Sequence, residues 1–271
     1  MPLTPLYLTT AIEAVTRAGK IQMEHFGGDF RVDKKGAIDL VTDVDVAVER
    51  MFRRLIAERF PDHEVLAEEL GGAAGTPAGA CWIFDPIDGT TNYAHGIPIF
   101  CATVALEIDG VGQVAAVFDP NRQELFTAAR GRGAFLNGRR LQVSPTRDLV
   151  DAVVVTGFPY DVHRRVDEIV GLFGAFVGRA RAVRRLGSAA IDLCYVAAGR
   201  MDGFWETDLK PWDIAGGALI VAEAGGRITN MDGQPFDSRV GQVLATNIHL
   251  HERMIEIIQT FRASRARQRT D

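Results

Sequence analysis

Two aspartates that directly follow an apolar strand are the residues of this sequence best suited to chemistry. Asp85 and Asp88 lie three residues apart in the run WIFDPIDGTT at 82–91, where Pro86 fixes a turn and Gly89 and Thr90 could open a helix. Paired carboxylates beside amides at a helix start are typical of a site for Mg²⁺ and phosphate. Taken alone, the motif favours a plain turn with a capping Asp88, because Asp, Pro and Gly are common turn formers.

Three further carboxylate patches lie at predicted strand ends or helix starts. Glu68-Glu69 follows an apolar run, Asp213 lies in the first turn of an apolar helix, and Asp43 and Asp45 begin another helix. Solvated charge, a favourable helix dipole or helix capping would explain each one separately. Four such clusters, in a chain without His or Cys ligand spacing, favour hard oxygen-bound cations over zinc. The reaction class they suggest is phosphate-ester hydrolysis.

The elements that position these patches can be predicted from hydrophobic periodicity. Helical spacing indicates helices over 8–26 and after Thr42-Asp43, and short β-type runs between 81 and 143, with Asp109-Gly110 and Asn137-Gly138 turns, indicate an antiparallel sheet. Beyond Pro145, strands and helices alternate, as in α/β proteins. The sequence therefore predicts an α+β half over 1–145 and an α/β half over 146–271.

Composition and charge exclude several classes of protein. The chain has 271 residues, is 47% hydrophobic and carries a net charge of −5, which excludes disorder and argues against nucleic-acid or membrane binding. The absence of a signal peptide or long apolar run predicts a cytoplasmic location. Cys81, Cys101 and Cys194 each lie in an apolar stretch, so we expect core residues rather than disulfides or metal ligands.

Several of these motifs together resemble the inositol monophosphatase family over nearly the whole chain. RLGSAA at 185–190 and GRMDGFWE at 199–206 look closest to its bacterial inositol-1-monophosphatase branch. The resemblance implies a layered αβαβα sandwich of the sugar phosphatase type, Mg²⁺ dependence, lithium inhibition and a homodimer. The motifs that carry the family resemblance are LVTDVD at 40–45, AEE at 67–69, DPIDGTTN at 85–92, WDIAG at 212–216 and EAGG at 223–226.

The resemblance also implies a metal set and a group that orients the attacking water. One Mg²⁺ would take Glu68, Asp85 and the Ile87 carbonyl, and a second would take Asp85, Asp88 and Asp213. A third, weaker ion would lie near Glu68, with Glu69 holding water. Thr90, hydrogen-bonded to Asp45, would orient the attacking water. Alanine at position 67, where glycine is common in the family, leaves these ligands intact but changes the loop before them.

The substrate end follows from the same resemblance. The Gly89 and Thr90 amides would hold the phosphoryl group, and Lys34, near the 31–38 loop, could close over the metals. Fructose-1,6-bisphosphatase or bifunctional sugar phosphatase activity is the alternative within phosphatases, and a transcription-machinery partner is the non-enzymatic one. The residues expected to contact the polyol are Asp88, Asp213, Glu206, Gly187, Ser188 and Ala189.

Overall fold

The computed structural model of the chain describes residues 5–28, 31–34, 40–72 and 78–268. Among these residues, no helix combines the length and the apolar character needed to cross a bilayer. The described α-helices are α1 (Pro5–His25), α2 (Asp43–Arg59), α3 (Thr90–Ala94), α4 (Val166–Val177), α5 (Ala189–Ala197), α6 (Pro211–Glu223) and α7 (His251–Gln268).

The strands of the described residues form a small hairpin, a seven-stranded sheet and a five-stranded sheet. The hairpin joins β1 (Val32–Lys34) to β2 (Leu40–Thr42). The large sheet, in spatial order, is β3 (Glu64–Ala67), β4 (Ala80–Asp88), β5 (Cys101–Ile108), β6 (Val111–Asp119), β7 (Glu124–Ala129), β8 (Gly133–Leu136) and β9 (Arg139–Arg140). The small sheet, in spatial order, is β11 (Ala182–Arg184), β10 (Val153–Thr156), β12 (Gly203–Thr207), β14 (Gln242–Thr246) and β13 (Arg227–Thr229).

Helices and sheets alternate in five layers. Helices α1 and α2 cover one face of the large sheet, α5 and α6 lie between the two sheets, and α4 and α7 cover the far face of the small sheet. Each interface buries aliphatic and aromatic side chains, such as the stacked rings of Phe52 and Phe84, whose centroids are 4.0 Å apart. This arrangement confirms the predicted αβαβα sandwich.

Most of the predicted elements are present, with local differences. Strands β4 to β9 are antiparallel as predicted, whereas β3 pairs with β4 in parallel. The last part of the sheet predicted between 81 and 143 consists of two short strands, β8 and β9, because Asn137 and Gly138 both adopt positive φ and close a two-residue hairpin. In the α/β half, a short 3₁₀ turn at Val162–Arg164 precedes α4, which begins at Val166. The three cysteines are buried and free, as expected.

The middle layer depends on a close approach between α5 and α6. A Cβ added to Gly217 of α6 would lie 2.6 Å from both Cβ and Cδ1 of Leu193 on α5. One residue earlier, a Cβ on Gly216 would lie 2.5 Å from the Thr103 hydroxyl on β5. Glycines at these two positions therefore let α6 pack tightly against a helix and a sheet at once.

We expect Gly217→Ala to lower the free energy of unfolding by about 1–3 kcal/mol, because the added methyl overpacks the interface with Leu193. Gly174→Ala on α4 is the matched control, since a Cβ there meets nothing within 4 Å. The control should raise stability by about 0.4–1 kcal/mol through a lower entropy of the unfolded chain. Urea denaturation of both variants measures the difference, and equal effects would contradict the packing argument.

Candidate active site

The turn at the end of β4 places two carboxylates in the protein interior. Asp85 and Asp88 are 2% and 7% exposed, and the pairing of β4 with β5 shifts register between them. The Ile87 amide donates to Asp85 Oδ1 at 2.8 Å, and Gln22 Nε2 on α1 donates to the Pro86 carbonyl at 2.7 Å. One hydrogen bond within the turn and one from helix α1 therefore hold its conformation.

Helix α6 brings a third carboxylate to the same place. Pro211 begins the helix, and Asp213 accepts a hydrogen bond of 2.6 Å from the Lys210 amide. Oxygens of Asp85, Asp88 and Asp213 all lie within 4.8 Å of one another. Carboxylate oxygens at this spacing are a donor set for a hard divalent cation.

Burial and mutual repulsion make this cluster electrostatically costly when ionised. Burial raises the pKa of Asp85 and of Asp213 well above the ordinary value, and the charges of neighbouring carboxylates raise both further. Burial raises the pKa of Asp88 to about 6, although hydrogen bonds from Ser188 and the Ala190 amide oppose that shift. A bound cation would offset both the cost of burying these charges and their mutual repulsion. The residues therefore fit a divalent metal ion.

The Glu68-Glu69 turn and α2 flank the cluster. Glu68 lines the same cavity, and its charge raises the pKa of Asp85. Asp45, fully buried at the start of α2, accepts hydrogen bonds from the amide and hydroxyl of Thr42 at 2.7 and 2.6 Å. Burial raises the pKa of Asp45 to about 7, and the charges of Glu68 and Glu69 contribute to the rise. The second oxygen of Asp45, Oδ1, is buried without a hydrogen-bond partner.

The prediction of a hydrogen bond between Thr90 and Asp45 is wrong. The Thr90 hydroxyl donates to the Ile87 carbonyl at 2.9 Å, while Asp45 bonds to Thr42 in a capping box. Both side chains have partners within three residues, and these local contacts form in place of the longer one. The Ile87 carbonyl keeps a second lone pair, so it remains available as a metal ligand.

Gly89 connects the aspartate turn to α3 in a conformation that requires glycine. Its φ is 101°, and a Cβ there would lie 3.0 Å from the Ile99 carbonyl oxygen and 3.2 Å from that of Gly187. Gly89 and Thr90 both line the cavity that contains the carboxylates. The backbone here can thus approach a bound group closely.

The opposite wall of the cavity comes from α5 and β12. Gly187, Ser188 and Ala189 line it, and the Ser188 hydroxyl and the Ala190 amide donate to Asp88 Oδ2. Glu206, at 8% exposure, packs on Gly157 so closely that a Cβ at position 157 would overlap its carboxylate. The cavity has a volume of about 270 Å³ and brings together most of the predicted site residues.

Three predicted site residues are absent from the described residues that line the cavity. Asp45, at the start of α2, is one of them. Glu69 is half-buried beside Glu68 but is absent from the residues that line the cavity. Lys34 ends β1, and its side chain, like all of residues 35–39, lies outside the part of the chain that the structure describes.

Sequence reasoning missed Asp192, a buried carboxyl in the cavity wall. Asp192 is 1% exposed on α5, its Oδ1 has no hydrogen-bond partner, and burial raises its pKa well above the ordinary value. The charge of Glu206 is the second cause of that rise. The available signal was one carboxylate within the otherwise apolar run AAIDLCYVA of α5.

Comparisons with known proteins agree with this geometry. The sequence model of the Inositol monophosphatase family matches residues 6–263. An inositol-1-monophosphatase of Synechocystis is 42% identical over 270 residues, covering 97% of this chain and 94% of that protein. Nus factor SuhB of Escherichia coli K12 is 40% identical over 250 residues, covering 92% of this chain and 94% of that protein.

Solved structures of inositol monophosphatases have the same fold as this chain. An inositol monophosphatase from Anabaena superposes with a TM-score of 0.86 at 38% identity, covering 94% of this chain and 96% of that one. An IMPase/NADP phosphatase complexed with Mg²⁺ and phosphate superposes with a TM-score of 0.79 at 27% identity, covering 89% and 90%.

We expect the metal-free protein to lose stability as the pH rises from about 4, where the unfolded carboxyls titrate, to about 8, where Glu206 titrates in the folded state. Burial raises the pKa values of Asp88, Asp45 and Glu206 to about 6, 7 and 8, whereas the unfolded chain titrates near ~4. The folded state therefore holds more protons in this window, and its free energy of unfolding falls as pH rises.

Chemical denaturation in excess chelator at several pH values measures this slope. Glu206→Gln should make the slope shallower throughout the window up to about pH 8, because the variant lacks one of the groups that hold an extra proton in the folded state. A free energy of unfolding that rises with pH across the window would contradict the electrostatic account.

Proposed function

We propose, because the chain belongs to the inositol monophosphatase family, that it is a Mg²⁺-dependent phosphomonoesterase that hydrolyses inositol monophosphate to inositol and phosphate. The observation that carries the proposal is the cluster of Asp85, Asp88 and Asp213 in one cavity. A phosphate monoester is an anion, and buried carboxylates alone would repel it. Divalent cations on the carboxylates reverse that repulsion, which is why this site suits a metal-dependent phosphatase.

The chain's own carboxylates would hold the metal ions. Asp85, Asp88 and Asp213 are the central ligands, and Glu68 and the Ile87 carbonyl extend the set. When bound, Mg²⁺ supplies positive charge for the phosphoryl oxygens and the leaving alkoxide and lowers the pKa of water. The similarity to a structure complexed with Mg²⁺ and phosphate supports this choice of ion.

Two polar groups of the chain would orient the reaction. Asp45 Oδ1, buried and without a partner, is available to accept a hydrogen bond from the attacking water. The amides of Gly89 and Thr90 would donate to the phosphoryl oxygens and fix the phosphorus in line with the water. Glu69 beside this site would hold water, and Lys34 would close over it from β1.

The polyol end would be recognised by carboxyl groups on the opposite wall. Glu206, Asp88 and Asp213 would accept hydrogen bonds from substrate hydroxyls, and the 187–189 segment would form the surface against which the ring lies. Gly157 has a supporting role here, because only a residue without a Cβ leaves room for the Glu206 carboxylate. Specificity would therefore depend on β12 and α5 rather than on the metal ligands.

Two alternatives remain open. Metal and phosphate ligands bind the group that all phosphate esters share, so fructose 1,6-bisphosphate stays a candidate substrate. Relatives at 40% identity carry the name Nus factor SuhB, which favours a second role as a partner of the transcription machinery. The homodimer, lithium inhibition and cytoplasmic location stay predictions.

Steady-state hydrolysis of a substrate panel tests the proposal. The panel contains inositol 1-phosphate, fructose 1,6-bisphosphate and an aryl phosphate, each measured with Mg²⁺ and with excess chelator. We expect the largest kcat/KM for inositol 1-phosphate and no turnover in chelator. A larger value for fructose 1,6-bisphosphate would select the alternative, and full activity in chelator would refute the metal-dependent mechanism.

We expect Asp85→Asn to lower kcat by about 10³-fold or more with inositol 1-phosphate, because a central ligand loses its charge while keeping its volume. Asp119→Asn is the matched control. Asp119 is equally buried but bonds to the Asn121 amide and to Arg122 away from the cavity. A mild effect of Asp85→Asn in a folded protein would exclude it as a central ligand.

We expect Glu206→Gln to reduce kcat/KM for inositol 1-phosphate by about 5- to 150-fold, or roughly 1–3 kcal/mol, while an aryl phosphate is affected less. The reason is that only the polyol offers hydroxyls to this carboxyl. Glu223→Gln controls for lost stability, since Glu223 bonds to the Gly131 and Gly133 amides outside the cavity. Equal losses on both substrates would place Glu206 in a structural role.

A further inference from the structure

We propose that Glu49 of α2, together with Arg53, positions the Glu68-Glu69 turn for divalent-cation binding. This inference rests on the proposed function and adds a positioning residue to it. Glu49 is fully buried, yet it does not line the cavity that contains the carboxylate cluster. Its influence on the metal site must therefore pass through the backbone that it holds.

The hydrogen bonds of Glu49 show what it holds. Its Oε2 accepts from the Glu69 amide at 2.7 Å, and its Oε1 accepts from the Leu70 amide at 3.1 Å. Arg53, one turn later on α2, donates from Nε to the same Oε1 at 2.8 Å. One buried carboxylate thus binds two consecutive amides directly after Glu68.

Arg53 ties the far end of the turn to the same helix. A second guanidinium nitrogen of Arg53 donates to the Gly71 carbonyl. The turn is consequently held at two amides and one carbonyl, all by side chains of α2. This fixes the direction in which the backbone leaves β3, and hence where the Glu68 carboxylate can reach.

The same face of α2 also carries Asp45. Asp45 and Glu49 are four residues apart, so they lie one above the other on the helix, and both are fully buried. Asp45 lies close enough to the cluster for its charge to raise the pKa of Asp85, and Glu49 supplies the anchor for the turn. A single helix face therefore sets the relative position of Asp45 and Glu68.

A purely structural ion pair elsewhere on α2 provides the comparison. Arg59 pairs with Glu13 of α1 at 2.6 Å, and both side chains are about one-third exposed. Partly exposed pairs of this kind contribute little to stability. Glu49 differs because a buried charge without its amide partners would be strongly unfavourable, which commits the turn to one geometry.

The test compares Mg²⁺ binding by the parent, Glu49→Gln and the control Glu13→Gln, using isothermal titration calorimetry. Gln presents an NH₂ group to one of the two amides, so one anchor is lost while the side-chain volume is retained. We expect the Mg²⁺ Kd to rise about 10-fold or more in Glu49→Gln, as found when groups that orient metal ligands are changed, and to stay within about 2-fold in Glu13→Gln.

Kinetics provide a second readout. The Mg²⁺ concentration for half-maximal hydrolysis should rise with the Kd, whereas kcat at saturating Mg²⁺ should fall by less than about threefold, because the reacting groups are unchanged. Arg53→Met, at a half-exposed position, should shift the Kd in the same direction and is the variant to use if Glu49→Gln does not fold.

The outcomes separate this inference from the proposed function. An unchanged Mg²⁺ Kd in folded Glu49→Gln or Arg53→Met, with an active parent, overturns the positioning role alone. A fall in kcat without a change in Kd also overturns it. A parent that neither binds Mg²⁺ nor hydrolyses phosphate esters would overturn the proposed function itself.

Discussion

The repulsion among three clustered carboxylates, two of them buried, is the constraint on which the rest of the structure depends. Asp85, Asp88 and Asp213 are brought within 4.8 Å of one another in surroundings that disfavour their charge. Each is held by a backbone amide of its own, from Ile87, Ala190 and Lys210. Amides anchor the side chains without neutralising them, so the remaining charge is left for a cation and its phosphate ligand. The hydrophobic layers must supply the stability that this arrangement removes.

The layered fold brings together carboxylates that are far apart in the sequence. Asp88 and Asp213 belong to segments attached to different sheets, and α5 and α6 lie between those sheets. Close packing at Gly216 and Gly217 brings α6 against β5, the strand that pairs with β4. The contact that makes the middle layer compact is therefore also the contact that delivers the third carboxylate. The same contact therefore packs the middle layer and places Asp213 in the site.

Local signals in the sequence predicted much of the fold and the carboxylate patches of the site, whereas the substrate-side residues followed from the resemblance to a known family. The cap at Thr42, the hairpins at Asp109-Gly110 and Asn137-Gly138, and the turn after β4 each depend on residues within a few positions. Contacts between distant segments could not be found in this way. Glu49 bonds to amides 20 and 21 residues away, and Asp192 joins the cavity only through the packing of α5. Thr90 shows the opposite case, since its hydroxyl donates to the Ile87 carbonyl only three residues away and not to Asp45.

The position of Asp213 late in the sequence also bears on biosynthesis. A ribosome makes the large sheet first, with Asp85 and Asp88 already in place, and releases α5 and α6 only near the end of translation. Until then, Asp88 lacks the Ser188 hydroxyl and the Ala190 amide that hold it in the finished protein. The nascent chain thus carries an incomplete ligand set while it is still tethered. The carboxylate cluster is therefore complete only after α6 has been made, and a product terminated before α6 would lack Asp213.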